Sequence, residues 1–98
     1  MLIRTVRMTF RPDAIDTFLD LFDAAAPQIR SFPGCRHLEL WQDVNFPNVL
    51  TTYSLWESSD DLEAYRLSDF FRSTWSRTRP LFAAPPRAFS QAVLRSAQ

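Results

Sequence analysis

One histidine, His37, supplies the only imidazole of the chain. Its unperturbed pKa of about 6.5 suits it to move a proton near neutrality. Further along, Trp56 closes a run of β-branched and aromatic residues, and Tyr65, Phe70 and Trp75 follow it. These rings could wall a dry slot for a small ligand, with Thr52 and Ser54 joining His37 in a polar ring around a cavity that ends at Trp56. Arg7, Arg66 or the Tyr65 hydroxyl could hold a developing oxyanion. A proton acceptor, an apolar slot and an anion-stabilising group are what acid–base chemistry on a small molecule requires.

Each of these residues also has a plain structural role. Aromatics at helical spacing, such as Phe71 and Trp75, more often build a core than a pocket. His37 alternates with Glu39 and Trp41, so pairing with a carboxylate on a sheet face would account for it. Arg7 suits a surface or interface ion pair. Cys35 follows a turn glycine with no His or Lys run beside it, the setting of a small hydrophobe and not of a nucleophile. Asp60, Asp61 and Glu63 complement a helix N-terminus, so no metal site is expected. No phosphate loop, CxxC, HExxH or GxGxxG motif occurs.

The elements that must carry these groups follow from patterning. Leu2 to Phe10 alternates, with Val6, Met8 and Phe10 on one side and Thr5, Arg7 and Thr9 on the other, and reads as a strand. From Asp13, a fair N-cap, apolar residues at Ile15, Phe18, Leu19, Phe22, Ala26 and Ile29 give the three-and-four spacing of a helix. Pro27 should kink or end that helix. The segment Phe32-Pro33-Gly34 holds the only glycine, in a turn expected to need an unusual backbone conformation. Arg36 to Gln42 is a second strand, DVNFPN its turn, and Val49 to Trp56 the hairpin partner. Ser58 stands three residues before Asp61, the spacing of a helix cap. Ser68 offers a second cap, so a bend is expected between two helical pieces. Prolines make LFAAPP (81–86) a loop, a plausible lid over a pocket, and Arg87 to Arg95 alternates as the last strand.

This order predicts a single α+β domain over residues 1–98, a ferredoxin-like βαββαβ fold whose four-stranded antiparallel sheet has helices on one face. The other face would stay apolar in water unless a second copy covered it, so a homodimer is expected. The 46% hydrophobic fraction supports a core. Eleven basic and eleven acidic residues cancel without forming blocks, so nucleic acid and anionic membrane are not expected partners. One cysteine excludes an internal disulfide. Arginines interrupt the apolar N-terminus, so a soluble, cytoplasmic protein is expected.

The segments PGC (33–35), HLEL (37–40) and YSLWESSDDLEAYRLSDFF (53–71) resemble the antibiotic biosynthesis monooxygenase family, a branch of the dimeric α+β barrel superfamily. The likeness covers nearly the whole chain. It implies a dimer whose sheets face each other and one pocket per subunit between sheet and helices, with Trp56 at the position of the family's pocket tryptophan. Characterised members oxidise polycyclic phenols to quinones with O2 and without flavin, metal or haem. The resemblance thus implies a cofactor-independent monooxygenase acting on a small aromatic molecule. His37 and Trp56 would be its catalytic residues, and Thr52, Ser54, Tyr65, Phe70 and Trp75 its substrate contacts. The haem-degrading monooxygenases of the superfamily are also similar, but they need a helical histidine where this chain has Trp75 and an asparagine where it has Val6. A non-catalytic dimeric module that binds a small molecule is the alternative from another class.

Overall fold

Val49–Trp56 (β3) is rich in β-branched and aromatic residues that fit a pleated, half-buried surface, and it pairs along both of its edges. The computed structural model describes all 98 residues. Leu2–Phe10 (β1) and Cys35–Gln42 (β2) flank β3, and Phe82–Gln91 (β4) lies on the far side of β1, giving an antiparallel sheet in the order β2-β3-β1-β4. Helices Ile15–Arg30 (α1), Ser59–Arg66 (α2) and Asp69–Thr78 (α3) complete the ferredoxin-like arrangement. No helix is long and apolar enough to cross a membrane.

Register decides which side chains meet the helices. Val6 pairs with Thr52 and Met8 with Leu50 across β1 and β3, and Leu38 pairs with Ser54 across β2 and β3. Strand alternation carries those residues to one face, where two apolar clusters form. Around Phe10 gather Met8, Phe18 and Leu50. Ala25, Ile29, Cys35 and Leu62 surround Trp56.

Local chemistry explains most boundaries. Ser58 Oγ accepts from the Asp61 N–H at 3.2 Å and starts α2, and Ser68 Oγ accepts from the Phe71 N–H at 3.1 Å and starts α3. Two caps make two helices. In the β2–β3 turn the Asp43 carboxylate accepts from the N–H groups of Asn45 and Phe46 at 2.9 and 3.0 Å.

Three expectations need correction. Asp13 does not cap α1: Pro12–Ala14 forms a single 3₁₀ turn, Asp13 pairs with Arg11 at 3.4 Å, and α1 begins at Ile15 without a side-chain cap. Of the two outcomes expected of Pro27, ending the helix is overturned, because α1 runs on to Arg30. Only one helical turn follows Pro27, so one missing hydrogen bond is tolerated. The largest difference is at LFAAPP, where Phe82 to Pro86 belongs to β4 and not to a loop. Between the pairs Arg7 with Arg87 and Thr9 with Ala84, β4 spans one residue more than β1. Pro85 and Pro86 fall in that bulge on an edge strand, where a missing N–H costs little. The strand ends at Gln91, short of the expected Arg95.

Gly34 adopts a φ of +84°, and the Asp61 side chain fills the space where a Cβ would lie. Gly34→Ala is expected to destabilise the fold by at least about 1–2 kcal/mol from the left-handed backbone alone. Adding Asp61→Gly, which removes the Asp61 Cβ along with its carboxylate, should recover the steric part and leave the backbone part, so the double variant is less destabilised than the sum of the single ones. Urea denaturation of the four proteins checks this; additive effects would show that Asp61 yields freely.

Candidate active-site cavity

Sheet and helices do not close completely on each other. Between them lies a cavity of about 270 Å³, just below the range of about 300–1,000 Å³ usual for ligand sites. The sheet supplies Arg4, Val6, Thr52, Ser54 and Trp56 to its lining, and the helices supply Tyr65, Arg66, Phe71, Thr74 and Trp75. Arg66 and Ala88 are exposed lining residues and mark its mouth.

Trp56 forms the inner wall. It is 1% exposed, and its indole N–H donates to Ser54 Oγ at 2.9 Å. That hydroxyl lies 3.5 Å from the Arg4 carbonyl, to which it can donate in turn. The indole hydrogen is therefore spent on the fold, and Trp56 offers a ligand its ring. Tyr65 stacks on it with centroids 5.2 Å apart, Phe71 meets Tyr65 edge-on at 5.1 Å, and Trp75 stacks on Phe71 at 5.9 Å. Burial, with a smaller contribution from the nearby Cys35 thiol, pushes the Tyr65 hydroxyl above its ordinary pKa. It stays a neutral phenol at working pH.

Two cations interrupt this apolar lining. Arg4 sits on β1 beside Val6 and Met8 and donates to Ser90 Oγ at 3.0 Å. Burial lowers its guanidinium pKa, Arg66 lowers it further by repulsion, and Glu63 opposes both. Thr74 contributes a hydroxyl that is buried without a hydrogen-bond partner.

Of the residues singled out from the sequence, Trp56, Thr52, Ser54, Tyr65 and Trp75 come together at this cavity. Phe70 does not. It packs against Phe32 at 5.9 Å, while Phe71, one residue on and rotated by about 100° on the helix, takes the cavity side with Trp75. His37 lies on the opposite face of the sheet. It pairs with Leu55 in register, while its neighbour Leu38 pairs with Ser54 and faces the helices. There His37 Nε2 lies 2.6 Å from Glu39 Oε2, Trp41 Nε1 donates to Glu39 Oε1 at 2.8 Å, and Tyr53 stacks on Trp41 at 4.8 Å. Those two hydrogen bonds, His37 first, hold the Glu39 carboxylate below its usual range.

Arg4 is the charged cavity residue that sequence reasoning missed. The alternation of β1 carried the signal, because Arg4 falls on the same side as Val6, Met8 and Phe10. No Asp, Glu or His lines the cavity. The site can therefore hold a flat apolar body and a negative group, but a proton lost by a ligand has no carboxylate or imidazole to receive it. Trp75 and Val6 line the cavity at the two positions where a haem-degrading site would need histidine and asparagine, and no three His, Cys, Asp or Glu side chains converge.

Comparison with known proteins agrees with this architecture. The family profile described as antibiotic biosynthesis monooxygenase matches residues 1–75. A crystal structure described by that same name superposes with a TM-score of 0.90 at 18% identity, over 97% of this chain and 100% of the other. A Mycobacterium tuberculosis protein superposes with a TM-score of 0.88 at 24% identity, over 99% of this chain and 98% of its own. A conserved protein of Methanosarcina mazei gives 0.87 at 18%, over 93% and 91%. No curated protein matches in sequence. At these identities the structural likeness establishes the fold.

Two of the hydroxyls bordering the cavity, those of Ser54 and Thr74, should behave oppositely on removal. Ser54→Ala strands the buried Trp56 N–H and is expected to cost about 1–3 kcal/mol. Thr74→Val removes an oxygen that has no partner and should be neutral or slightly stabilising. Denaturation midpoints at unchanged slope test the contrast; equal losses would mean that the Thr74 hydroxyl is bonded in solution.

Proposed function

This chain belongs to the antibiotic biosynthesis monooxygenase family, and from that membership we propose that it is a cofactor-independent monooxygenase oxidising a small aromatic or polyphenolic substrate with O2. The observation that carries the proposal is the cavity itself, a slot walled by Trp56, Tyr65 and Trp75 with Arg4 and Arg66 among its lining residues. An ionised phenol of the anthrone type is electron-rich enough to give one electron to O2. Collapse of the resulting radical pair forms a carbon–oxygen bond. Loss of water from the peroxide leaves a quinone carbonyl, so one oxygen atom enters the product and the other leaves as water. The protein's share is to exclude bulk water, hold the ring system flat and stabilise negative charge on oxygen.

In this reading Thr52, Ser54, Trp56, Tyr65 and Trp75 serve the substrate, and His37 serves the other face of the sheet. That face exposes Trp41 at 44% and Phe89 at 47%, and it carries Tyr53 and Leu55 between them. A second copy of the chain covers it. The absence of Asp, Glu and His from the cavity lining favours a second reading, a dimeric module that binds a small molecule without turning it over.

Oxygen uptake by the metal-free protein with an anthrone-type phenol separates the two. Saturable uptake above the substrate's own autoxidation is expected, retained in His37→Ala and lost in Trp56→Ala and in Thr52→Phe, which fills the slot. Trp56→Ala removes a core side chain at a cost of about 3–5 kcal/mol, so its folding is checked by circular dichroism, and Thr52→Phe carries the test if it fails. Uptake no faster than autoxidation would favour the binding module. For the interface, Leu55→Glu places a charge on the covered face and is expected to convert a dimer into a folded monomer in sedimentation equilibrium. A wild-type monomer would remove the dimer from the proposal.

A further inference from the structure

Arg4 is a cation in the wrong solvent. Its strand position sends it to the helix-facing side among apolar residues, where it is half-buried. A guanidinium carries five N–H donors, and the one side-chain partner of Arg4 is the neutral hydroxyl of Ser90. The ion pairs of the chain are Arg11 with Asp13, Arg36 with Glu57, Arg66 with Glu63 and Arg72 with Asp69, while His37 is hydrogen-bonded to Glu39. Arg4 takes part in none. Arg66, the second guanidinium of the cavity, has its carboxylate partner Glu63 at 3.3 Å on the exposed side of α2, and it repels Arg4. Glu63 also offsets part of the charge on Arg4, so one carboxylate answers to two guanidinium groups and the cavity keeps an excess of positive charge.

Withdrawing a guanidinium from water is costly unless an anion meets it. A chain that needed only a folded core would place an aliphatic residue here, as it does at Val6 and Met8. The excess charge is therefore a feature for a ligand. The rest of the wall specifies the ligand's other part, since Trp56, Tyr65 and Trp75 present rings to it. We infer that the cavity is a site for a planar aromatic anion, whose carboxylate or phenolate oxygen sits against Arg4 and Arg66 while its rings lie along the aromatic wall. The inference rests on reading this cavity as the substrate site, and it accounts for the lack of Asp, Glu and His in the lining. With a phenol, two cations favour the ionised form, so the ligand leaves its proton in bulk water as it enters and no protein base is needed. Arg4 is then the residue that selects for charge.

Calorimetric titration tests this with two pairs of probes. In the first, 2-naphthoate is compared with the neutral 2-naphthamide of nearly equal shape. In the second, 4-nitrophenol is titrated above and below its own ionisation, which falls near neutrality. The wild-type protein is expected to bind the charged member at least about tenfold more tightly, the scale of a charge-assisted hydrogen bond. A preference in either pair supports the inference and identifies the anionic group as carboxylate or phenolate. Arg4→Met should bring that preference close to one while leaving the affinity of the neutral member unchanged, and Arg4→Lys, which keeps the charge, should retain most of it. Equal affinity within both pairs, or a preference that survives Arg4→Met in folded protein, overturns the inference and leaves the oxygenase reading intact. Binding of no probe in either state overturns both.

Discussion

The burial of Trp56 at the end of β3 is the constraint on which the rest of the molecule hangs. A tryptophan that is 1% exposed must find a partner for its N–H and an apolar neighbour for each face. Ser54 supplies the first, and Tyr65 supplies part of the second by stacking. The same corner ties down its surroundings. Cys35, the first residue of β2, pairs with Trp56, and the Glu57 N–H donates to the Gly34 carbonyl at 2.9 Å. Gly34 leaves room for Asp61, which the Ser58 cap holds at the start of α2. Turn, cap and aromatic ring form one assembly, and it sets where Tyr65 must stand.

A second consequence follows from how little the helical layer fills. Phe10 and Phe18 stack with centroids 4.3 Å apart under one end of α1, and Phe32 and Tyr65 meet edge-on at 5.0 Å at the other. Between these packed ends lies the cavity, and there the binary pattern of the sheet breaks at Arg4. Local violations of an otherwise consistent pattern mark functional positions more often than faults. An aliphatic residue at that position would suit the core, and the structure forgoes it.

The opposite face of the sheet answers to different rules. Alternation sends Tyr53 and Leu55 of β3 and His37, Glu39 and Trp41 of β2 away from the helices, where a carboxylate joins an imidazole and an indole N–H in one hydrogen-bonded row. Residues adjacent in sequence, such as His37 and Leu38, thereby belong to separate parts of the molecule. Proximity along the chain says nothing about a shared site when the period is two.

Local signals sufficed for most of the fold. Alternation marked β1, β2 and β3, two serine caps divided α2 from α3, and the lone glycine located the turn that needs a positive φ. These devices act over a few residues, so they are written in contiguous sequence. The position of β4 was not legible in this way, because Pro85 and Pro86 are excluded from a strand only if both of its edges are paired. Sheet order makes β4 an edge, and a bulge absorbs the prolines. The site divides along the same line. That Trp56, Tyr65 and Trp75 could share a slot was visible as residue type and spacing. That Phe71 replaces Phe70, that His37 faces away and that Arg4 faces in depends on helix rotation and on strand register across the sheet. Register is set by long-range pairing and packing, and only the folded chain contains it.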